Sequence, residues 1–224
     1  MKGLRAFIKM AELHQLERFP IHLKLDTGMH RLGFDADQLP EILALLKATK
    51  SVQVKSILSH MATSDDLNHK EFALSQIDLF EKLSSKLISE LHINPIRHIL
   101  NTSGISNFPN AQYNMVRLGI GLYGVSNDPL EQKYLENVGT LKSIISQVRT
   151  IPAGDSVGYG RRFMAEKETK IATIPIGYAD GISRLWGNQV GFVTIKNQKA
   201  YIVGSVCMDM LMVDVSHIDC KEGD

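Results

Sequence analysis

The sequence predicts an α/β domain built from strand–helix units, followed by a mainly β domain. Up to about residue 130, short strand-like runs alternate with segments whose apolar residues recur at helical spacing. Past about residue 138 the pattern changes to β-branched runs broken by Gly, Pro and Asn. Between the two, over residues 127–139, Asn, Asp, Pro and Gly cluster as they do in linkers. We therefore place one domain at residues 1–130 and a second at 138–224, and expect the second to be incomplete.

Each element follows from its pattern. Leu4, Phe7, Ile8 and Ala11 mark a first helix, expected to stop at Phe19-Pro20. In residues 21–26, Ile21, Leu23 and Leu25 share one strand face while His22, Lys24 and Asp26 share the other. Three polar groups on one face are unusual for a plain core strand. A second helix opens near Pro40, which suits a first turn, and carries Ile42, Leu43 and Leu46. A strand over residues 52–58 runs into SHMATSDD, and a third helix shows Ala73, Ile77, Phe80, Leu83, Leu87 and Leu91 on one stripe. Strands at 96–100 and 115–118 then run into NTSG and GIGLYG. This rhythm argues for parallel strands with polar sites at their C-terminal ends. In the second domain SIISQVRTI, TKIATIPIG, GFVTI, AYIVGSV and MLMVDVS read as strands of an antiparallel sheet or barrel. Four strand–helix units are too few to close an eight-stranded parallel barrel. The chain is thus expected to be a fragment of a longer protein, with a self-contained four-stranded open sheet as the alternative.

Composition narrows the function classes. With 25 Lys and Arg against 24 Asp and Glu, the net charge is +1, which excludes binding to nucleic acid or anionic membrane by bulk positive charge. No run of about 18 apolar residues is present, so no membrane span is expected, and the N-terminus does not read as a secretory signal. A cytoplasmic protein is expected, with Cys207 and Cys220 as free thiols. Their spacing matches no zinc pattern.

Seven motifs, KLDTGMHRLGF, SHMATSDD, HILNTSG, NMVRLGIGLYG, SVGYGRRF, IPIGYADG and VGSVCMDM, occur in the order in which alanine racemases carry their counterparts. The chain resembles that family over essentially its whole length. The resemblance implies a partial (β/α)8 TIM-type barrel followed by a mainly β C-terminal domain, the cofactor pyridoxal 5'-phosphate, and a homodimer with shared active sites. The family's Schiff-base lysine lies near the enzyme's N-terminus, in a motif that no lysine here matches, so the chain alone is expected to be inactive.

The resemblance also assigns residues. Arg117 corresponds to the partner of the cofactor's ring nitrogen; an arginine is effectively always protonated, so it donates a hydrogen bond and keeps that nitrogen from taking its own proton. Asn101, Thr102, Gly119 and Ile120 correspond to the phosphate loops, with Ser103 and Gly121 beside them, and His60 and His98 to histidines near the ring. Tyr159 corresponds to a base contributed by the neighbouring subunit, opposite the lysine. Lys24 corresponds to a lysine that is often carbamylated and then orients an arginine, here Arg31, toward the substrate carboxylate. Met208, with Cys207 and Asp209, corresponds to a cluster that receives that carboxylate across the dimer interface. Tyr178 corresponds to a substrate-entry tyrosine, with Asp65 and Arg184 farther out in the same corridor. Two positions depart from the family: His30 stands where glycine is usual, and Ser205 where some members carry arginine.

Taken without the resemblance, these residues have plainer readings. Lys24 and Arg31 could pair with Asp26 or Asp35, Arg117 could serve a structural ion pair, and the histidines could be satisfied core residues. The Asn, Thr and Gly positions are ordinary in loops, Tyr159 could be a turn-packing aromatic, and CMDM a buried strand pair with one exposed acid. With the resemblance, the expected activity is two-base proton transfer interconverting L- and D-alanine, to supply D-alanine for the cell-wall peptide of peptidoglycan. A broad-specificity amino-acid racemase, a related decarboxylase, and a non-catalytic dimerisation or cofactor-binding chain are the alternatives. Fusion behind a cell-wall ligase is also compatible with the resemblance.

Overall fold

A computed structural model describes all residues 1–224. The chain divides into two compact units, Met1–Gly139 and Thr140–Asp224. No helix is long and apolar enough to cross a membrane.

In the first unit, helices α1 (Lys2–Leu13), α2 (Leu39–Ala48) and α3 (Lys70–Leu91) alternate with strands β1 (Phe19–Lys24), β2 (Val52–Leu58) and β3 (Ile96–His98). The strands form a parallel sheet in the order β1-β2-β3. Leu23, Leu25, Ile57 and Ile99 from the strands and following loops meet Ile42, Phe80 and Leu87 from the helices, all almost wholly excluded from water. The α1 helix ends before Phe19-Pro20, and both of those residues belong to β1. Proline is tolerated at the start of a strand, where its missing N–H forfeits little. Phe7 stays exposed and meets Phe19 in a tilted ring contact, centroids 5.6 Å apart.

The sheet has three strands, so the strand expected at 115–118 is not formed. That segment runs beside β3 but bonds to it irregularly. Asn114 N donates to Arg97 O and Arg117 N to Leu100 O, both at 3.1 Å. The Asn114 side chain accepts from Arg97 N at 2.9 Å, standing in for the backbone carbonyl of a regular ladder. The β3 strand itself ends at His98, two residues earlier than the apolar run suggests.

The second unit is a five-stranded antiparallel sheet in the order β4-β7-β10-β9-β8, comprising β4 (Gln147–Ile151), β7 (Thr169–Ile174), β8 (Phe192–Ile195), β9 (Gln198–Val203) and β10 (Leu211–Asp214). All five expected runs form strands, though residues 143–146 stay outside β4. The pair β5 (Ser156–Val157) and β6 (Phe163–Met164), a short antiparallel ribbon, was not foreseen because two-residue strands carry no period. Ala172, Ile174, Ile202, Leu211 and Val213 form the main core, with Val157, Ile171 and Val203 as a smaller cluster.

Phe80 is fully buried and meets Tyr113 edge-on, ring centroids 5.3 Å apart. Phe80→Ala removes this contact and leaves a cavity, so we expect a loss of ~3–5 kcal/mol for the first unit, read as a lower urea midpoint.

Candidate functional site

The residues at the C-terminal ends of the parallel strands converge on Arg117. Its Nη2 donates to Ser59 O at 2.7 Å, to Ile99 O at 3.0 Å and to His60 Nδ1 at 3.3 Å. Its Nη1 donates to His98 Nδ1, and to His98 O at 3.3 Å. The Nε–H makes no bond within the chain. Burial, then the charges of Arg117 and His22, push the His98 imidazole down to about 4. Burial, then Arg117, Arg31 and Lys24, likewise lower His60. Both rings are therefore held neutral, each offering Nδ1 as an acceptor to a group that can only donate.

Lys24 ends β1, and Arg31 follows in a loop shaped by Asp26. The buried Asp26 carboxylate accepts from the amides of Gly28, Met29 and His30 at 2.8, 3.0 and 3.1 Å. Burial works to raise this carboxyl, but those amides and the His30 charge together hold it below the usual range. His30 adopts φ +52°, in the left-handed region. A non-glycine residue there carries a backbone strain of about 1–2 kcal/mol, opposed by the Asp26 bond. Lys24 and Arg31 form no ion pair with Asp26 or Asp35. Asp26 is committed to backbone amides, and Asp35 caps the turn Ala36–Gln38.

A separate cavity of about 190 Å³ is lined by Asp65, Asn101, Thr102, Ser103, Gly119, Ile120 and Asn127. Asn101 caps the short helix α4 (Thr102–Asn107), accepting from Gly104 N at 3.1 Å, and also accepts from Ser64 Oγ at 2.7 Å. Thr102 Oγ1 accepts from Gly119 N at 2.9 Å and Gly121 N at 3.2 Å, which leaves its hydroxyl hydrogen free. A Cβ on Gly121 would lie 2.6 Å from the Thr102 methyl, so no side chain fits there. Ser103 and Ile120 open α4 and the turn Ile120–Tyr123, and their amides have no intrahelical partner. Asp65, expected in a corridor farther out, lines this cavity and is held by Asn127 Nδ2 at 2.9 Å.

In the second unit Tyr159 is 77% exposed, in a turn flanked by Gly158 at φ +73° and Gly160 at φ +71°. Its carbonyl accepts from Ser205 Oγ at 3.3 Å. Nearby in sequence to Ser205, the carbonyls of Cys207 and Met208 accept from Tyr178 N and Ala179 N at 3.0 and 2.9 Å. A Cβ on Gly177 would lie 2.4 Å from both carbonyl oxygens, which is why that turn can seat so closely. The Arg184 guanidinium lies 5.6 Å from the Tyr178 ring centroid. Met208 is exposed, and burial, then Asp209, pushes the Cys207 thiol up. The CMDM segment is a loop before β10, not a buried strand pair. The structure thus forms two groups, Arg117 with His60 and His98 beside the Asn101–Thr102 cavity in the first unit, and Tyr159, Tyr178, Arg184 and Met208 in the second.

Several residues that build the first group carried no motif signal. Gln76, fully buried on α3, accepts from Ala62 N at 2.9 Å and donates to His60 O at 3.3 Å, clamping the loop that bears His60. Thr27 and Ser59 hydroxyls, 2.8 Å apart, tie two strand ends together. Ser56 bridges His22 and His98. A polar residue on an apolar helix stripe, as Gln76 is, was the one signal available.

Because His98 is kept neutral when folded, the unfolded chain binds the extra proton first. Its contribution to stability is complete above about pH 6.5 and is lost as pH falls toward about 4. We expect His98→Asn, whose amide oxygen can still accept from Arg117, to flatten that part of the urea-midpoint profile between those pH values.

Comparison with known proteins places these groups in a family. The alanine racemase N-terminal domain model matches residues 2–127 and the alanine racemase C-terminal domain model residues 138–224. Alanine racemase from Helicobacter pylori strain J99 is 37% identical over 233 residues, covering 100% of this chain and 61% of that protein. The crystal structure of alanine racemase from the D-cycloserine producer Streptomyces lavendulae superposes with a TM-score of 0.89 at 31% identity, over 99% of this chain and 59% of that one. Alanine racemase from Bartonella henselae, solved with covalently bound pyridoxal phosphate, gives 0.80 at 29% identity, over 100% and 60%. The chain therefore spans about three fifths of the length of the curated relatives it matches. Its parallel strand–helix unit and its β unit are the two domain types of one fold, and the chain belongs to the alanine racemase family.

Proposed function

We propose that this chain is the greater part of a cytoplasmic alanine racemase that interconverts L- and D-alanine with pyridoxal 5'-phosphate, providing D-alanine for peptidoglycan. The observation that carries the reading is the Arg117 guanidinium, fixed by three carbonyls and two neutral histidines with its Nε–H left free.

The residues present fit the cofactor at two places. Thr102, Ser103, Gly119 and Ile120 line a cavity, with a free hydroxyl hydrogen on Thr102 and amides of Ser103 and Ile120 that have no intrahelical partner, a suitable cradle for a phosphate. Arg117 supplies a permanently charged donor, suited to a ring nitrogen that is to stay unprotonated. Pyridoxal phosphate, when bound, supplies the electron sink that makes the α-proton of an amino acid removable. Arg117 would moderate that sink and so disfavour transamination, while neutral His60 and His98 hold the guanidinium without competing for it.

Racemisation needs a base on each face of the α-carbon. We assign one to Tyr159, whose ring is exposed and whose glycine-flanked turn lets it be aimed, and the other to a lysine outside this chain. A phenol acts as a base near neutral pH only where cations and hydrogen bonds favour the phenolate. Arg31 would hold the substrate carboxylate, oriented by a carbamylated Lys24, with Met208 contributing from a second copy. Tyr178 and Arg184 would narrow the entry and favour small amino acids such as alanine. In this reading each site takes Arg117 from one subunit and Tyr159 from another, so the homodimer is the active form. The identity of the family relatives favours this over a decarboxylase or a broad-specificity racemase.

The test uses the full-length parent protein. It is expected to racemise L-alanine, followed by loss of optical activity, and Tyr159→Phe is expected to lower kcat by roughly 10²–10⁴-fold. Mixing Tyr159→Phe chains with Arg117→Ala chains should recover activity, because one site of each mixed dimer is then intact. Absence of racemisation in the unsubstituted protein would overturn the function, and no recovery on mixing would overturn the shared site.

A further inference from the structure

The hydrogen bonds around Arg117 extend to two residues that the assigned roles do not use. Ser56 lies in the middle of β2, 1% exposed, and its hydroxyl oxygen has two polar neighbours, His98 Nε2 at 3.4 Å and His22 Nδ1 at 2.6 Å. His22 faces Ser56 because β2 bulges at Lys55. Ile21 is opposite Val54, but His22 is opposite Ser56, so the register skips Lys55. Without that skip His22 would pair with Lys55 and lie away from the hydroxyl. Bulges of this kind recur beside active sites, where they re-aim a side chain.

From these contacts we infer that His22 and Ser56 are positioning residues that hold His98 in the tautomer able to accept from Arg117. The inference deepens, and for its catalytic part rests on, the racemase reading above. A guanidinium has donors only, so the His98 Nδ1 beside Arg117 carries a lone pair and the ring proton sits on Nε2. That Nε2–H points at Ser56, which accepts. The Ser56 hydrogen then has one acceptor left, His22 Nδ1. Every group is satisfied only when the bonds run one way, from Arg117 to His98 to Ser56 to His22. The low proton affinity of the His98 ring agrees with a neutral link in such a chain.

The role of His22 follows from what happens without it. A buried hydroxyl hydrogen is costly to leave unpaired, and with Nδ1 of His22 gone it turns to His98 Nε2. His98 must then move its proton to Nδ1, where it opposes the Arg117 donor. His22 thus draws the Ser56 proton away from His98, and Arg117 keeps its place.

The experiment labels histidine with ¹⁵N in this chain and reads the tautomers from long-range proton–nitrogen correlations. His98 is expected as the Nε2–H form. In His22→Phe the Nδ1–H population should rise roughly tenfold, the factor one net hydrogen bond supplies. In His22→Asn, whose amide oxygen replaces the Nδ1 acceptor, the wild-type pattern should persist. Adding Ser56→Ala to His22→Phe should reverse the change, since no hydroxyl proton then competes, and a general packing defect would not be reversed. In the full-length protein His22→Phe should lower kcat with KM little changed, and His22→Asn should keep it. An unchanged tautomer in His22→Phe, or no reversal by Ser56→Ala, overturns the inference whatever the activity. A tautomer change with unaltered kcat overturns the catalytic part. Failure of the unsubstituted protein to racemise would remove the racemase reading while the nitrogen spectra still decide the relay.

Discussion

The first unit is organised around one half-buried cation. A guanidinium partly withdrawn from water needs partners for its donors, and Arg117 finds them in groups from two neighbouring strand ends: Ser59 O and His60 after β2, and His98 and Ile99 O at β3. Those groups are within reach of one planar fork because β2 and β3 are parallel and in register, with Leu58 opposite His98. A shift of one residue would turn the histidines to the other face. The site and the sheet are therefore consequences of the same strand pairing.

Around that cation the loops are held by side chains acting on backbone. Asp26 gathers three amides, Gln76 grips His60 O and Ala62 N on either side of Met61, and Thr102 receives two amides from the following glycine-rich loop. Each of these polar groups is buried, and each is paired, which is the condition under which burying it stabilises a single conformation. The second unit uses the opposite device. Its chemistry-bearing residues lie on exposed turns, and close backbone approach at Gly177 takes the place of side-chain clamps.

Much of this was legible in the sequence. Period-two alternation in residues 21–26 and the apolar stripe of α3 identified their elements, because burial on one face imposes those spacings. The ordered motifs identified the family, and singled out Arg117, His60 and His98, which the structure brings together, and Asn101 and Thr102, which line one cavity. The segment at 115–118 misled because its apolar residues fit a strand, while the Asn114 amide takes over the ladder bond that would have continued one. The alternative pairing of Lys24 or Arg31 with Asp26 is not formed, and one oxygen of that carboxylate instead accepts from three local amides.

By itself, then, the sequence determined which stretches become strands and helices, where the two units divide in character, and which family the chain joins. Those properties rest on local period and on motif order. Only the tertiary structure decided that a bulge brings His22 opposite Ser56, that Gln76 turns inward from a helix to hold a strand-end loop, and that His30 accepts a left-handed backbone. The first two depend on how one element is placed against another, which is set by packing between residues distant in the chain, and the third on the loop that the Asp26 carboxylate gathers.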